Sequence, residues 1–140
     1  MKILLAVDGS PYTKKMLAYL AAHPEFLVEA TSVTAFTVQP PLPPRARAAV
    51  GKAEVDAFQS EEASKVLDPV IRFLRRKGFK PAAGWKVGPA GETIAKFAES
   101  GKFDLIIMGS HGSNALRNLV MGSVATKVLA NCKVPVLLVR

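Results

Sequence analysis

Short apolar runs alternate along this chain with longer segments in which apolar residues recur at helical spacing. The apolar runs at 3–7, 104–108 and 134–139 are bounded by polar or turn-forming residues, which is typical of strands buried on both faces. Segments rich in β-branched and aromatic residues predict two further strands, over 30–38 and 85–87. The pattern therefore predicts five strands.

Helical spacing fills the segments between these strands. It predicts helices over 11–22, 53–77 and 90–99, and a last helix that starts at 118 or 122 and ends at 131. Pro69 falls inside the second of these helices. Because proline lacks the backbone N–H that a helix interior requires, we expect a kink or a break there.

The segment 39–44 is unusual because four of its residues are prolines. Proline fixes its own backbone and restricts the residue before it, so we predict an irregular loop here. We expect the loop to continue through 45–51 with at most a helical turn. Such a loop could serve as a lid over a ligand or as an interaction segment.

The alternation of strands and helices predicts an α/β fold in one domain, residues 1–140. Strands that alternate with helices form a parallel sheet with helices on both faces, and right-handed crossovers make it doubly wound. Pro135 lies in the last strand. Because proline cannot donate a ladder hydrogen bond, that strand is expected at an edge of the sheet.

Composition narrows the classes of protein. Hydrophobic residues make up 49% and charged residues 21%, which suits a packed domain. The single cysteine, Cys132, excludes a disulfide framework and argues against a cysteine-based zinc site. Neither a membrane span nor a leader peptide is recognisable, so we expect a cytoplasmic protein without membrane contact. The net charge of +8 indicates a surface that attracts anions.

Candidate chemistry lies where two of the predicted strands end. Asp8 follows the first strand, and Gly109, Gly112 and Gly122 follow the fourth, with Ser123 at a predicted helix start. In an open parallel sheet, ligands bind beyond the carboxyl ends of the strands. Glycines let the backbone approach a ligand, and a helix N-terminus favours phosphate. This loop is neither a Walker A loop nor a dinucleotide turn, and glycine pairs also occur in ordinary turns.

The glycine spacing resembles the ATP-binding signature of the universal stress protein family, Gly-x2-Gly-x9-Gly-Ser/Thr. The opening segment 3–10, with its acidic turn, and the segment 87–94 are similar to the same family. The resemblance covers essentially the whole chain. It implies the strand order 3-2-1-4-5, and a homodimer that pairs through the edge strand 134–139.

The resemblance also implies an ATP site, with Mg²⁺ or Mn²⁺ accompanying the nucleotide, and it assigns a part of the ligand to each matching residue. The base would lie near Ala6, Val7 and Val38, and the ribose near Met108 and Gly109, while Asp8 would meet either the ribose or the adenine. The phosphates would lie near His111, Gly112, Gly122, Ser123 and Val124. No residue is assigned a catalytic role, and none is assigned to a metal.

The sequence departs from the family pattern at Ser113, where a basic residue is frequent; Arg117 could supply that charge. The family resemblance implies a small regulatory protein that binds ATP, and two alternatives to that function stay open. One is a slow ATPase, although Asp8 is the only carboxylate expected near the site. The other is a scaffold that binds nucleic acid or a protein partner through the basic cluster, which we define as Arg72, Arg75, Arg76, Lys77 and Lys80. Such a cluster is more often a solvated helix face.

Overall fold

The computed structural model describes residues 1–112 and 120–140. Within these residues the strands form one parallel sheet in the order β3-β2-β1-β4-β5. The strands are β1 (Lys2–Ala6), β2 (Ser32–Gln39), β3 (Ala82–Val87), β4 (Leu105–Gly109) and β5 (Val136–Val139). The strand order implied by the family resemblance is therefore confirmed, and β5 lies at an edge as Pro135 predicted.

Helices cover both faces of the sheet, as predicted. They are α1 (Pro11–Ala22), α2 (Glu25–Val28), α3 (Pro44–Val50), α4 (Lys52–Arg76), α5 (Ala90–Ser100) and α6 (Ser123–Asn131). Buried residues of α1 and α4 pack against one face of the sheet, and buried residues of α5 and α6 pack against the other. No helix in the described parts of the chain is long and apolar enough to cross a membrane.

Strand β1 shows why an unbroken apolar run was needed. Ile3 and Leu5 belong to the core on one face, and Leu4 and Ala6 belong to the core on the other. Successive side chains of a strand point to opposite faces, so both sets must be apolar. Helix α1 then begins where predicted, because the Ser10 Oγ accepts a hydrogen bond from the Tyr12 N–H at 3.2 Å and Pro11 stands at the first helical position.

Pro69 does not break the helix, since α4 continues from Lys52 to Arg76; the alternative expectation, a kink, stays a prediction. Buried side chains on both sides of the proline, including Leu67, Val70 and Leu74, anchor the helix on the sheet. Each buried side chain of this size contributes about 1.5–3 kcal/mol. Together they outweigh the cost of about 3 kcal/mol for an interior proline.

The prediction of a loop through 45–51 was wrong. Residues 44–50 form α3, with Pro44 at the first helical position, where the missing proline N–H costs nothing. Gly51 ends this helix at a φ of 83°, a left-handed conformation that glycine tolerates best. The short helix α2 was not predicted. Ser113, Arg117 and the earlier of the two predicted starts of the last helix lie outside the described residues.

Candidate functional site

A cleft opens at the carboxyl ends of β1 and β4, the two strands at which the chain order of the sheet reverses. Ala6 at the end of β1 is in register with Met108 of β4, and Val38 near the end of β2 forms a further wall. This is the position at which doubly wound sheets bind their ligands. The sheet topology alone therefore brings residues distant in sequence to one place.

The structure brings together all but one of the site residues assigned from the sequence. Those that line the cleft are Ala6, Val7, Asp8, Val38, Met108, Gly109, His111, Gly112, Gly122 and Val124. The exception is Ser123, which is exposed at the first position of α6, between two residues that do line the cleft. The ligand contacts of all these site residues stay predictions.

Four lining residues were missed by sequence reasoning: Thr13, Ala90, Ile94 and Ala125. Ile94 and Ala125 lie on predicted helices and also belong to the hydrophobic core, so nothing in their spacing distinguishes them from ordinary core positions. Of the four, only Thr13 could have been found from a local sequence pattern. A threonine five residues after a strand-end aspartate, and one turn into a helix, can bond that carboxylate.

The two carboxylate oxygens of Asp8 have different environments. Oδ1 accepts hydrogen bonds from the Ser10 N–H at 2.9 Å and from the Thr13 hydroxyl at 3.0 Å. The described residues offer Oδ2 no hydrogen bond, and a Cβ added to Gly112 would lie 3.0 Å from it. Oδ1 therefore fixes the orientation of the carboxylate, while Oδ2 remains available to a ligand.

The glycines of the cleft are required by packing within the protein as well as by any ligand. A Cβ on Gly109 would lie 2.6 Å from the Cβ of Tyr12, and a Cβ on Gly122 would lie 3.0 Å from the Cα of His111. The Gly122 N–H donates to the Ser110 carbonyl at 2.7 Å. Residues 109–112 and the start of α6 are thus pressed together backbone against backbone.

Helix α6 begins at the cleft with unsatisfied donors. The Gly122 carbonyl accepts from the N–H of Thr126 at 3.1 Å and from its hydroxyl at 2.9 Å. The N–H groups of Ser123, Val124 and Ala125 precede the first intrahelical bond and have no partner among the described residues. Together with the helix dipole they form a favourable site for an anion.

His111 is held by its side chain. Its Nδ1 lies 2.8 Å from the Ser110 Oγ, and its ring centroid lies 4.9 Å from that of Tyr12. Ser110 itself is buried. These contacts orient the start of the loop that follows β4 and engage the imidazole within the protein.

The first turn of α5 contacts the second turn of α6, and both helices flank the cleft. Lys127 Nζ donates to Glu92 Oε1 at 3.2 Å, and a Cβ added to Gly91 would clash with the Lys127 Cβ. The backbone N–H of Glu92, and then the Lys127 ammonium, lower the pKa of the Glu92 carboxyl below its ordinary value. This pair helps to keep the start of α6 in place.

The cleft holds little that could bind a metal by itself. Asp8 is its only carboxylate among the described lining residues, and no group of three or more metal-ligating side chains occurs in residues 1–112 and 120–140. Mg²⁺ commonly binds through one or two carboxylates together with substrate phosphates and water. The donors described here suit a metal that arrives with a phosphate chain.

Comparison with known proteins gives a consistent family. The model of the universal stress protein family matches residues 1–140. Universal stress protein Slr1230 of Synechocystis is 33% identical over 99% of this chain, but the chain spans only 42% of its length. Universal stress protein MJ0531 of Methanocaldococcus jannaschii is 31% identical, over 99% of this chain and 81% of that protein.

Solved structures share the fold. Protein MJ0577 of Methanocaldococcus jannaschii superposes with a TM-score of 0.81 and 31% identity, over 99% of this chain and 94% of that one. An Archaeoglobus fulgidus universal stress protein was solved in complex with dAMP (TM-score 0.64, 23% identity, 100% of this chain and 98% of that one). An Arabidopsis thaliana member was solved with AMP bound (TM-score 0.69, 14% identity, 99% and 90%). From its sequence match over all 140 residues, this chain belongs to the universal stress protein family.

Proposed function

We propose that this chain is a cytoplasmic regulatory protein of the stress response, and that it binds ATP with Mg²⁺ or Mn²⁺ in the cleft between the ends of β1 and β4. One observation carries the proposal. A single cleft combines the uncommitted Oδ2 of Asp8 with the free N–H groups at the start of α6. These are a hydrogen-bond acceptor for a sugar hydroxyl and a donor set for phosphate.

Each part of the nucleotide has a matching part of the cleft. The phosphates would lie against the backbone of Gly112 and Gly122 and the first turn of α6. The ribose would bond to Asp8. The base would pack on the apolar wall, in which Val38 and Ile94 belong to one core cluster with β1. Apolar walls with few polar groups are usual for such sites.

Adenine nucleotides in other proteins of this fold support the ligand class. The Arabidopsis thaliana and Archaeoglobus fulgidus structures hold AMP and dAMP. We infer a triphosphate from the glycine spacing Gly109, Gly112, Gly122 with Ser123.

Binding is favoured over efficient turnover. Fast phosphoryl transfer needs a positioned nucleophile and a group to orient it or to accept its proton. Among the described lining residues Asp8 is the only carboxylate, and one of its oxygens is already committed to Ser10 and Thr13. We expect steady-state phosphate release to stay below one turnover per second. A rate of several per second, absent in Asp8→Asn, would make the protein an ATPase.

The other alternative was a scaffold that binds nucleic acid or a protein partner through the basic cluster, and no specific observation supports it. The members of the cluster are exposed. They lie where α4 ends and β3 begins, at the amino ends of the strands, whereas the cleft lies at the carboxyl ends. A basic helix end also gains from the helix dipole, which accounts for the cluster without a partner. Nucleic-acid binding there stays a prediction of lower rank.

The binding test is calorimetric titration of nucleotide-free protein with MgATP, for the parent, Asp8→Asn and Asp104→Asn. Asparagine at position 8 keeps an acceptor for Ser10 and Thr13 but loses the charge offered to the ribose. A charge-assisted hydrogen bond contributes about 1.5–3 kcal/mol, so we expect affinity to fall by about tenfold or more.

Asp104→Asn is the matched control. Asp104 accepts a hydrogen bond from the Lys2 N–H at 2.7 Å. Both residues lie at the amino ends of their strands, opposite the cleft, so the same chemical change there should leave the ATP affinity equal to that of the parent. Circular dichroism checks that all three proteins are folded. A folded, nucleotide-free parent that gives no binding would refute the ATP site. Equal affinity of Asp8→Asn and the parent would remove Asp8 from it.

A further inference from the structure

A second cleft, of about 610 Å³, lies beside the proline-rich segment. Residues 41–44 and α3 form one side of it, and the first turns of α4 form the other. Its volume is within the range of about 300–1,000 Å³ that small-molecule sites occupy. The nucleotide cleft shares none of its lining residues, so the two are separate.

The cleft exists because α3 is not drawn into the core. None of the residues of α3 is buried, so the helix does not collapse onto α4. Prolines at 40, 41, 43 and 44 stiffen the segment that leads into it. Gly51 turns the chain from α3 into α4. A stiff segment and the turn at Gly51 thus place α3 beside α4 without burying it, and the cleft lies between them.

The walls are largely apolar. Leu42 and Pro44 line one side, and the buried Val55 lines the other. Val87, at the end of β3, is 42% exposed and also contributes. Apolar side chains gathered around one cleft favour a ligand with an apolar body.

The charged groups of the cleft are predominantly cationic. Arg47 from α3 and Lys52 from the start of α4 line it, together with one carboxylate, Asp56. Neither cation forms an ion pair in residues 1–112 and 120–140, where the ion pairs are Lys65 with Glu62 and Lys127 with Glu92. Lys52 also begins a helix whose first turn has no side-chain cap. An anion would satisfy all of these groups.

Gln59 adds a polar group to the wall of the cleft. Its side chain is only 6% exposed and it lines the cleft. The Nε2 reaches the Pro40 carbonyl at 3.4 Å, at the limit of a hydrogen bond, and Oε1 accepts none from the described residues. This oxygen is not one of the fully enclosed, unpartnered side-chain atoms among the described residues, so it is open to the cleft. A ligand N–H or O–H group would find an acceptor there.

We propose that this second cleft binds a small amphipathic anion. The ligand would have an aromatic or acyl body against Leu42, Pro44 and Val55. It would carry one carboxylate or sulfonate between Arg47 and Lys52, and one N–H or O–H group bonded to the Oε1 of Gln59. Each part of this description corresponds to one group of lining residues.

The probe is 8-anilinonaphthalene-1-sulfonate, which has an aromatic body, one sulfonate and one N–H and which fluoresces in apolar sites. We expect saturable binding of one molecule per chain, with amide chemical-shift changes centred on Leu42, Ala48 and Val87. The variant Arg47→Gln/Lys52→Gln should bind about tenfold or more weakly, the change that loss of about 1.4 kcal/mol produces. Gln59→Leu should also weaken binding while preserving side-chain bulk.

The matched control is Arg72→Gln/Lys77→Gln, which removes the same charge from the exposed far end of α4 and should leave probe affinity unchanged. Equal weakening by both double variants would mean that net charge alone attracts the probe, and the proposal would be wrong. Shift changes confined to Ala6, Val38 and Gly109, or displacement of the probe by MgATP, would place it in the nucleotide cleft and equally overturn the proposal. The shift map locates the probe whether or not ATP binds.

Discussion

At the scale of single residues, the sequence predicts those whose role follows from a local pattern. Asp8 stands directly after a buried run, and the glycines keep a fixed spacing, so both could be assigned before the fold was known. Ile94 and Ala125 could not, because a helix residue that lines a cleft has the same spacing as one that packs in the core. Only the placement of α5 and α6 on the sheet distinguishes the two.

Gly109 illustrates a residue whose first explanation was incomplete. The sequence suggested that its small size serves close approach of a ligand. The structure shows that a Cβ there would lie 2.6 Å from the Tyr12 Cβ and 3.3 Å from the His111 carbonyl oxygen. Neither neighbour is the flexible end of a side chain, so α1 or the loop after β4 must shift. We therefore expect Gly109→Ala to destabilise the ligand-free protein by about 1–3 kcal/mol, as overpacking does.

Urea unfolding of ligand-free protein measures this effect, with Gly84→Ala as the control. Gly84 lies in β3, and its added Cβ would make an ordinary contact of 3.7 Å with Phe36, so its stability should stay near that of the parent. If Gly109→Ala unfolds at the same urea concentration as the parent, the packing explanation is refuted. Ligand approach would then be the reason for this glycine.

At the scale of elements, the sequence predicts which strands and helices form better than it predicts where each one begins and ends. All five strands were expected, yet β3 begins at Ala82 rather than at Trp85, because pairing with β2 starts at Thr34 and Ala82. Pairing of this kind depends on a neighbour that is distant in sequence. Pro69 shows the same limit in a helix, since local chemistry predicts a kink or a break, and burial of Leu67 and Leu74 keeps the helix unbroken.

At the scale of the whole molecule, the parallel sheet with helices on both faces follows from the alternation of elements. The strand order does not, because several orders satisfy the same alternation; the family resemblance supplied it. The two clefts likewise differ in whether the sequence predicts them. One follows from the rule for strand ends, whereas the other depends on how α3 rests beside α4, which no spacing in the sequence indicates.

The edge of the sheet formed by β5 leads to a prediction for the assembled molecule. Val136, Leu137 and Leu138 are only half-buried, and among the described strands β5 pairs on one side with β4 alone. An apolar edge strand invites pairing with another chain. We expect a homodimer through residues 134–139, with a mass in solution twice that of one chain.

Light scattering during size-exclusion chromatography tests this assembly in the parent, Val136→Lys and Val28→Lys. A lysine on an edge strand disfavours strand pairing because its charge would be buried in the interface, so Val136→Lys should elute as a folded monomer. Val28 lies in α2, away from this edge, and is 66% exposed, so the same substitution there should leave the dimer intact. A monomeric parent, or a Val136→Lys variant that stays dimeric, would show that β5 is not the interface. Because β4 pairs with β5 and ends at the cleft between β1 and β4, repeating the measurement with MgATP would show whether the proposed nucleotide binding and assembly are coupled.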